Sequence, residues 1–96
     1  MRPSEALRAH RAEIRAIVAS HHATNARVFG SSAREEDEEG SDLDLLIDPT
    51  PDLSLFDIAR MQSRLEALLG VPVDVRTPMD LPERMRTRVM VEAVPV

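Results

Sequence analysis

The segment Leu43-Asp44-Leu45-Leu46-Ile47-Asp48 constrains the fold more than any other stretch, because it is apolar enough for the middle of a sheet yet carries an acid inside it. It closes at Pro49, which has no N–H for a ladder, and it reads as a largely buried strand. Strand side chains repeat every second residue, so Asp42 and Asp44 point to one face. A second run, Val71-Pro72-Val73-Asp74-Val75, is also strand-like with an acid in its middle, and Pro72 is tolerated there only near the start or at an edge. Strand interiors disfavour Asp, and a buried ionised carboxylate is costly unless it is paired or bound to metal. Three carboxylates placed this way require a cation. Oxygen ligands without His or Cys point to a hard ion, and Mg²⁺ fits best because it takes one or two carboxylates together with substrate phosphates.

The remaining elements surround these two runs. Leu7, Ile14, Ile17 and Val18 recur at helical spacing from Ser4 to about Ser20, with Ser4 as the expected N-cap. Ala26 to Phe29 is a short strand ended by Gly30. Ser54 followed by Asp57 forms a capping signal for a helix whose stripe is Ile58, Met61, Leu65 and Leu68, and Gly70 is its stop. A last helix is expected from near Asp80, with Pro82 in its first turn, toward Ala93. The expected fold is α/β (α+β): a small three-stranded mixed sheet packed by helices in the order α-β-β-α-β-α, forming one domain over residues 1–96.

Gly30-Ser31 follows the first strand directly. Glycine there permits close backbone approach to a ligand, and successive N–H groups with the Ser31 hydroxyl can cradle a phosphate. A nucleoside triphosphate bridged by Mg²⁺ satisfies both this turn and the acids. A calcium loop is excluded, because no further ligands follow Asp42-x-Asp44 at the required spacing and no Glu closes the loop.

Composition removes several other classes. The chain has 96 residues with 43% hydrophobic and 30% charged, and no apolar run approaches a membrane span. Its charged N-terminal turns lack an apolar signal core, so a cytoplasmic location is expected, with no membrane partner. There is no Cys, and all 12 basic residues are Arg, which excludes thiolate metal sites and lysine chemistry. With no Trp or Tyr, two Phe and a net charge of −5, direct nucleic acid binding is not expected. That charge is local: without Glu35, Glu36, Asp37, Glu38 and Glu39, acids and arginines balance at 12 each. A run of like charges reads as a solvated face, as do His10, His21, His22 and the arginines Arg84, Arg86 and Arg88. Met85, Val89, Met90 and Val94 supply more apolar surface than three strands can cover, so part of it is expected at a protein interface.

The stretch from Phe29 through Asp48, "FGSSAREEDEEGSDLDLLID", followed by "VDV", resembles the polymerase-beta-type nucleotidyltransferases. At this length the chain is most similar to the minimal nucleotidyltransferase (MNT) antitoxins encoded beside HEPN toxins. The family commonly has Gly after the Ala33-Arg34 pair, where this chain has Glu35. The resemblance implies that Gly30 and Ser31 hold the β- and γ-phosphates of ATP. It further implies that Asp42 and Asp44 coordinate two Mg²⁺ ions, and that Asp74 shares one of them and favours deprotonation of the attacking hydroxyl. Arg34 is either a triphosphate ligand or a partner of the acidic loop. The activity implied is transfer of AMP from ATP to a tyrosine of a HEPN toxin, in a hetero-oligomer with that toxin. The chain has no Tyr, so the acceptor comes from another molecule. Two rival readings are neutralisation of the partner by stoichiometric binding, and nucleotide transfer to a small hydroxylated molecule.

Overall fold

The computed structural model describes all 96 residues, Met1 to Val96. Helices α1 (Pro3–Ala9) and α2 (Arg11–Ala19) lead into strands β1 (Ala23–Phe29) and β2 (Leu43–Pro49). Helix α3 (Leu55–Leu69), strand β3 (Val73–Arg76), helix α4 (Glu83–Glu92) and strand β4 (Val94–Pro95) complete the chain. The four strands form one sheet in the order β3-β2-β1-β4. β1 is antiparallel to both β2 and β4, whereas β2 and β3 are parallel and joined by α3 as a crossover.

The mixed α/β class expected from the sequence is present, with two differences. The sheet has four strands rather than three, because Val94–Pro95 returns to pair with Arg27 and Val28. Two residues ending in proline show no alternation that a sequence pattern can detect. The first helix is also two helices, broken at His10 (φ −132°, ψ 27°) without any Pro or Gly. The break comes from tertiary ties. The Ser4 N–H donates to Asp37 Oδ2 at 2.8 Å, anchoring α1 to the loop after β1, while α2 turns Ile14 and Val18 into the core. Ser4 is therefore not the N-cap; Arg2 holds that position.

Helix α3 follows local rules closely. The Asp57 N–H donates to Ser54 Oγ at 3.3 Å, the Ser54 N–H donates back to Asp57 Oδ2 at 2.9 Å, and Gly70 (φ 70°) ends the helix in the left-handed region. The helix expected from Asp80 instead starts at Glu83. Asp80 belongs to a separate 3-10 turn, Pro78–Asp80, where it accepts from the Thr77 N–H and hydroxyl. Arg86 is not solvated as expected, since its guanidinium donates to the carbonyls of Pro78 and Leu81 and fastens α4 to that turn.

The two faces of the sheet differ, and that difference places the site. Val28, Leu43, Leu45, Ile47, Val73 and Val75 face α1, α2 and α3 and join Leu7, Ile14, Val18, Met61 and Leu65 in the main core. Burying side chains of this size contributes roughly 1.5–3 kcal/mol each, which is how a chain without disulfides holds together. The opposite face carries a smaller cluster of Phe29, Leu46, Leu81 and Val89 under α4. The expected apolar surplus is divided: Val89 is buried, Met85 is half-buried, and Met90 and Val94 are exposed.

Candidate active site

Pairing brings the sequence-predicted acids to the α4 side of the sheet. Phe29 lies directly across from Asp44, and Asp44 lies directly across from Asp74 on the parallel neighbour. Both acids therefore share a face with Phe29 and Leu46. Pairing of β2 with β3 begins where the Leu43 N–H donates to the Pro72 carbonyl at 2.8 Å. Asp42 precedes that point, so it lies just outside the strand and is exposed, with its charge still close enough to act on Asp44.

β1 ends at Phe29, and the chain turns over Asp44 through a 3-10 turn, Gly30–Ser32. Gly30 is required twice. Its φ of +73° is costly for any L side chain, and a Cβ there would lie 2.6 Å from Asp44 Oδ2. The turn is closed by the Ala33 N–H to the Gly30 carbonyl at 3.1 Å and the Glu36 N–H to the Ser31 carbonyl at 2.9 Å. The backbone of the Gly-Ser pair thus lies against one of the acids, as a ligand bridging the two would need.

Electrostatics mark Asp44 as the centre of the group. Burial pushes its carboxyl up, the nearby Asp74 and Asp42 charges push it further, and Arg76 only partly offsets them, so it reaches about 6. The Arg76 Nε donates to Asp74 Oδ2 at 3.1 Å. Three carboxylates against one guanidinium leave an excess of negative charge. This donor set of oxygens fits a hard divalent cation, with Asp42, Asp44 and Asp74 as its available ligands. The three do not converge as a ready-made shell, and Asp74 is engaged with Arg76. Arg76 was legible as a neighbour, since two residues along a strand share a face.

Arg34 does not reach the aspartates. Its Nη1 donates to Glu92 Oε1 at 2.7 Å and its Nε to Glu36 Oε2 at 3.2 Å. Of the five consecutive acids, Glu35, Glu36, Glu38 and Glu39 are exposed as expected, but Asp37 is only 3% exposed. Burial pushes the Asp37 carboxyl up; the hydrogen bond from the Ser4 backbone N–H and the nearby Arg2 charge outweigh it and hold the group below its ordinary value. His21 is also buried rather than on the surface, with its Nδ1 2.8 Å from the Ile17 carbonyl. Glu92, which ties α4 to the Gly30–Arg34 turn, carried no sequence signal because its partners are 62 and 58 residues away.

A Gly-Ser turn at a strand end, packed on an acid that stands in register beside a second acid, is the central feature of this small α/β protein. The sequence from residue 11 to 96 matches the nucleotidyltransferase domain, and the chain belongs to that family. It is 39% identical over 80 residues to the "Putative protein adenylyltransferase MJ0435" of Methanocaldococcus jannaschii, covering 83% of this chain and 86% of that protein. A solved structure described as a "putative minimal nucleotidyltransferase" superposes with a TM-score of 0.87 at 45% identity, over 97% of this chain and 95% of that one. A toxin-antitoxin complex with AMP-PNP shares the fold at a TM-score of 0.75 and 15% identity, over 88% of this chain and 69% of its own. The chain is a nucleotidyltransferase, and no helix is long and apolar enough to cross a membrane.

Proposed function

We propose that the chain transfers AMP from ATP to a protein hydroxyl, a tyrosine of a HEPN-type toxin, and neutralises that toxin as its antitoxin. The observation that carries this reading is the Gly30 backbone pressed on Asp44, with Asp44 in register beside Asp74 and its carboxyl raised to about 6. An acid so placed is held for a cation and a polyanion rather than for stability. The relative named as a protein adenylyltransferase supports a protein acceptor, and the shared fold with a toxin-antitoxin complex supports the partner class.

The chemistry is nucleophilic displacement at phosphorus. The acceptor oxygen bonds to the α-phosphorus of ATP, the α–β phosphoanhydride breaks, and pyrophosphate leaves. Mg²⁺, when bound, supplies charge neutralisation for the triphosphate and the leaving group. Asp42, Asp44 and Asp74 would hold the two metal ions. The Gly30-Ser31 turn orients the β- and γ-phosphates over Asp44. Asp74, at the partly exposed rim beside Arg76, would share one of the ions and favour deprotonation of the attacking hydroxyl. Positioning and electrostatics supply most of the rate, because little covalent work falls to the protein. The acceptor tyrosine is the partner's, since this chain has none.

The second reading, neutralisation by occlusion alone, draws on exposed apolar side chains. Leu55 and Phe56 at the start of α3 are 84% and 74% exposed. One experiment separates the two. The chain is incubated with the toxin encoded beside it, MgATP is added, and the mass of the toxin is measured. An AMP adduct that disappears with Asp42→Asn/Asp44→Asn is the expected result. No adduct, with toxicity still suppressed by the double variant, overturns transfer and leaves occlusion.

A further inference from the structure

The last turn of a helix is the least favourable place for a carboxylate, because the free carbonyl ends there carry partial negative charge. Helix α4 nevertheless ends on Glu92. A single oxygen of that side chain, Oε1, accepts from the Gly30 N–H at 3.0 Å and from Arg34 Nη1 at 2.7 Å. These donors sit at the two ends of the Gly30–Arg34 turn.

The sheet register explains how Glu92 arrives there. β1 pairs with β4 through Arg27 with Pro95 and Val28 with Val94. Continuing that antiparallel register by two residues sets Gly30 across from Glu92. By then the partner backbone has become helix, so the side-chain oxygen takes the N–H that a longer strand would have paired. A partly buried carboxylate with a charge-assisted bond to a guanidinium is a stronger and more directional tie than a neutral ladder bond. Gly30 has little room on its other side, where even a Cβ would meet Asp44. Loss of the Glu92 tie would release one side of the turn while the acid still presses on the other.

We propose that Glu92 is a positioning residue. By fixing Gly30 and Arg34 on one oxygen it holds the turn in the shape that receives the triphosphate, and it makes nucleotide affinity depend on how α4 and β4 are seated. This rests on the nucleotidyl-transfer reading above. Glu92 touches no reacting atom in that reading. It acts through the Gly30 amide and the Arg34 guanidinium, and it reaches them from the β4 side of β1, opposite the aspartates.

The test compares Glu92→Ala, which removes both bonds, with Glu92→Gln, which keeps an acceptor oxygen and drops the charge. Binding of MgATP by the isolated chain, transfer kinetics with the toxin, thermal midpoint and amide exchange at Gly30 are measured for each. For Glu92→Ala, KM and Kd for MgATP are expected to rise about tenfold with kcat within about twofold, because substrate positioning is weakened and the reacting groups are untouched. Glu92→Gln should recover most of the affinity, and exchange at Gly30 should accelerate only in the alanine variant. Glu92→Ala should lower the thermal midpoint slightly, because the Gly30 N–H loses its acceptor, and Glu92→Gln should keep it, so affinities are compared at a temperature where every variant is folded. Unchanged affinity in Glu92→Ala overturns the inference. So does a loss that follows only a fall in thermal midpoint, or equal loss in both variants. A wild-type chain that binds no MgATP and transfers no AMP overturns the nucleotide reading itself and this inference with it. The wild-type measurement tells that case from the others.

Discussion

Replacing Gly30 by alanine tests the close approach on which the site is built. Two effects add. The backbone at φ +73° lies in the left-handed region, where an L residue costs about 1–2 kcal/mol. The new methyl would also lie 2.6 Å from Asp44 Oδ2, closer than van der Waals contact allows. Oδ2 is the free end of a half-buried side chain, and turning it off its rotamer costs about 0.5–1.5 kcal/mol. Gly70 isolates the first effect, because its φ is +70° and nothing lies within 4 Å of a Cβ there. Gly70→Ala should therefore lower stability by about 1–2 kcal/mol and Gly30→Ala by about 1.5–3.5 kcal/mol. In a domain of this size each kcal/mol moves the thermal midpoint by about 4–8 °C, so far-ultraviolet circular dichroism during heating resolves the difference. Combining Gly30→Ala with Asp44→Ala should recover the excess, because the carboxylate that met the methyl is gone. Equal losses at Gly30 and Gly70, or no recovery in the double variant, would refute the packing argument.

Asp44→Asn should change how stability depends on pH in metal-free buffer. The folded carboxyl is raised to about 6 from 3.8, so its contribution is present below the unfolded value and is lost as pH rises through about 6. The full shift corresponds to about 3 kcal/mol, and screening at this half-buried group reduces it to about 1–2 kcal/mol. The asparagine variant should therefore be the more stable protein at pH 7 and not at pH 4; equal denaturant midpoints at both pH values would contradict this. Asp37→Ala removes the buried acceptor of the Ser4 N–H and should cost about 1–2 kcal/mol, read by urea unfolding. Because the Asp37 carboxyl is lowered, its contribution is present above the unfolded value and fades as pH falls toward its folded one, so the gap between variant and wild type should narrow in acid. Glu35→Gly relieves a φ of +56° worth about 1 kcal/mol and gives up an exposed pair with Arg8 worth about 0–1 kcal/mol. Its stability should match or slightly exceed wild type, and a clear loss would show that the Arg8 pair anchors the loop.

The parts of this fold visible in the sequence are those decided by near neighbours. Ser54, Asp57 and Gly70 bounded α3 because capping bonds span three or four residues. Asp44 and Asp74 stood out because an acid inside an apolar strand is costly wherever the strand lies. Their direct pairing across β2 and β3 follows from the parallel crossover that α3 makes. What escaped was set by distant partners. The break at His10, the burial of Asp37 and the tie from Glu92 depend on contacts 33 to 62 residues apart. The short strand β4 exists only because β1 offers it an open edge. Even the positive φ at Glu35 was half visible, since the related family commonly places Gly there.

The parallel register of Asp44 and Asp74 has a mechanical consequence. Their separation is one strand spacing, about 4.8 Å between backbones, and it is set by main-chain hydrogen bonds rather than by side-chain packing. Those backbones can part only if the edge strand β3 peels away from β2, which the packing of Val73 and Val75 into the main core opposes. On the proposed reading, nucleotide would flex the Gly30–Arg34 turn on one side while the backbones that carry the acids keep their spacing on the other. The molecule has a stiff jaw and a compliant one, and the stiff jaw is backbone.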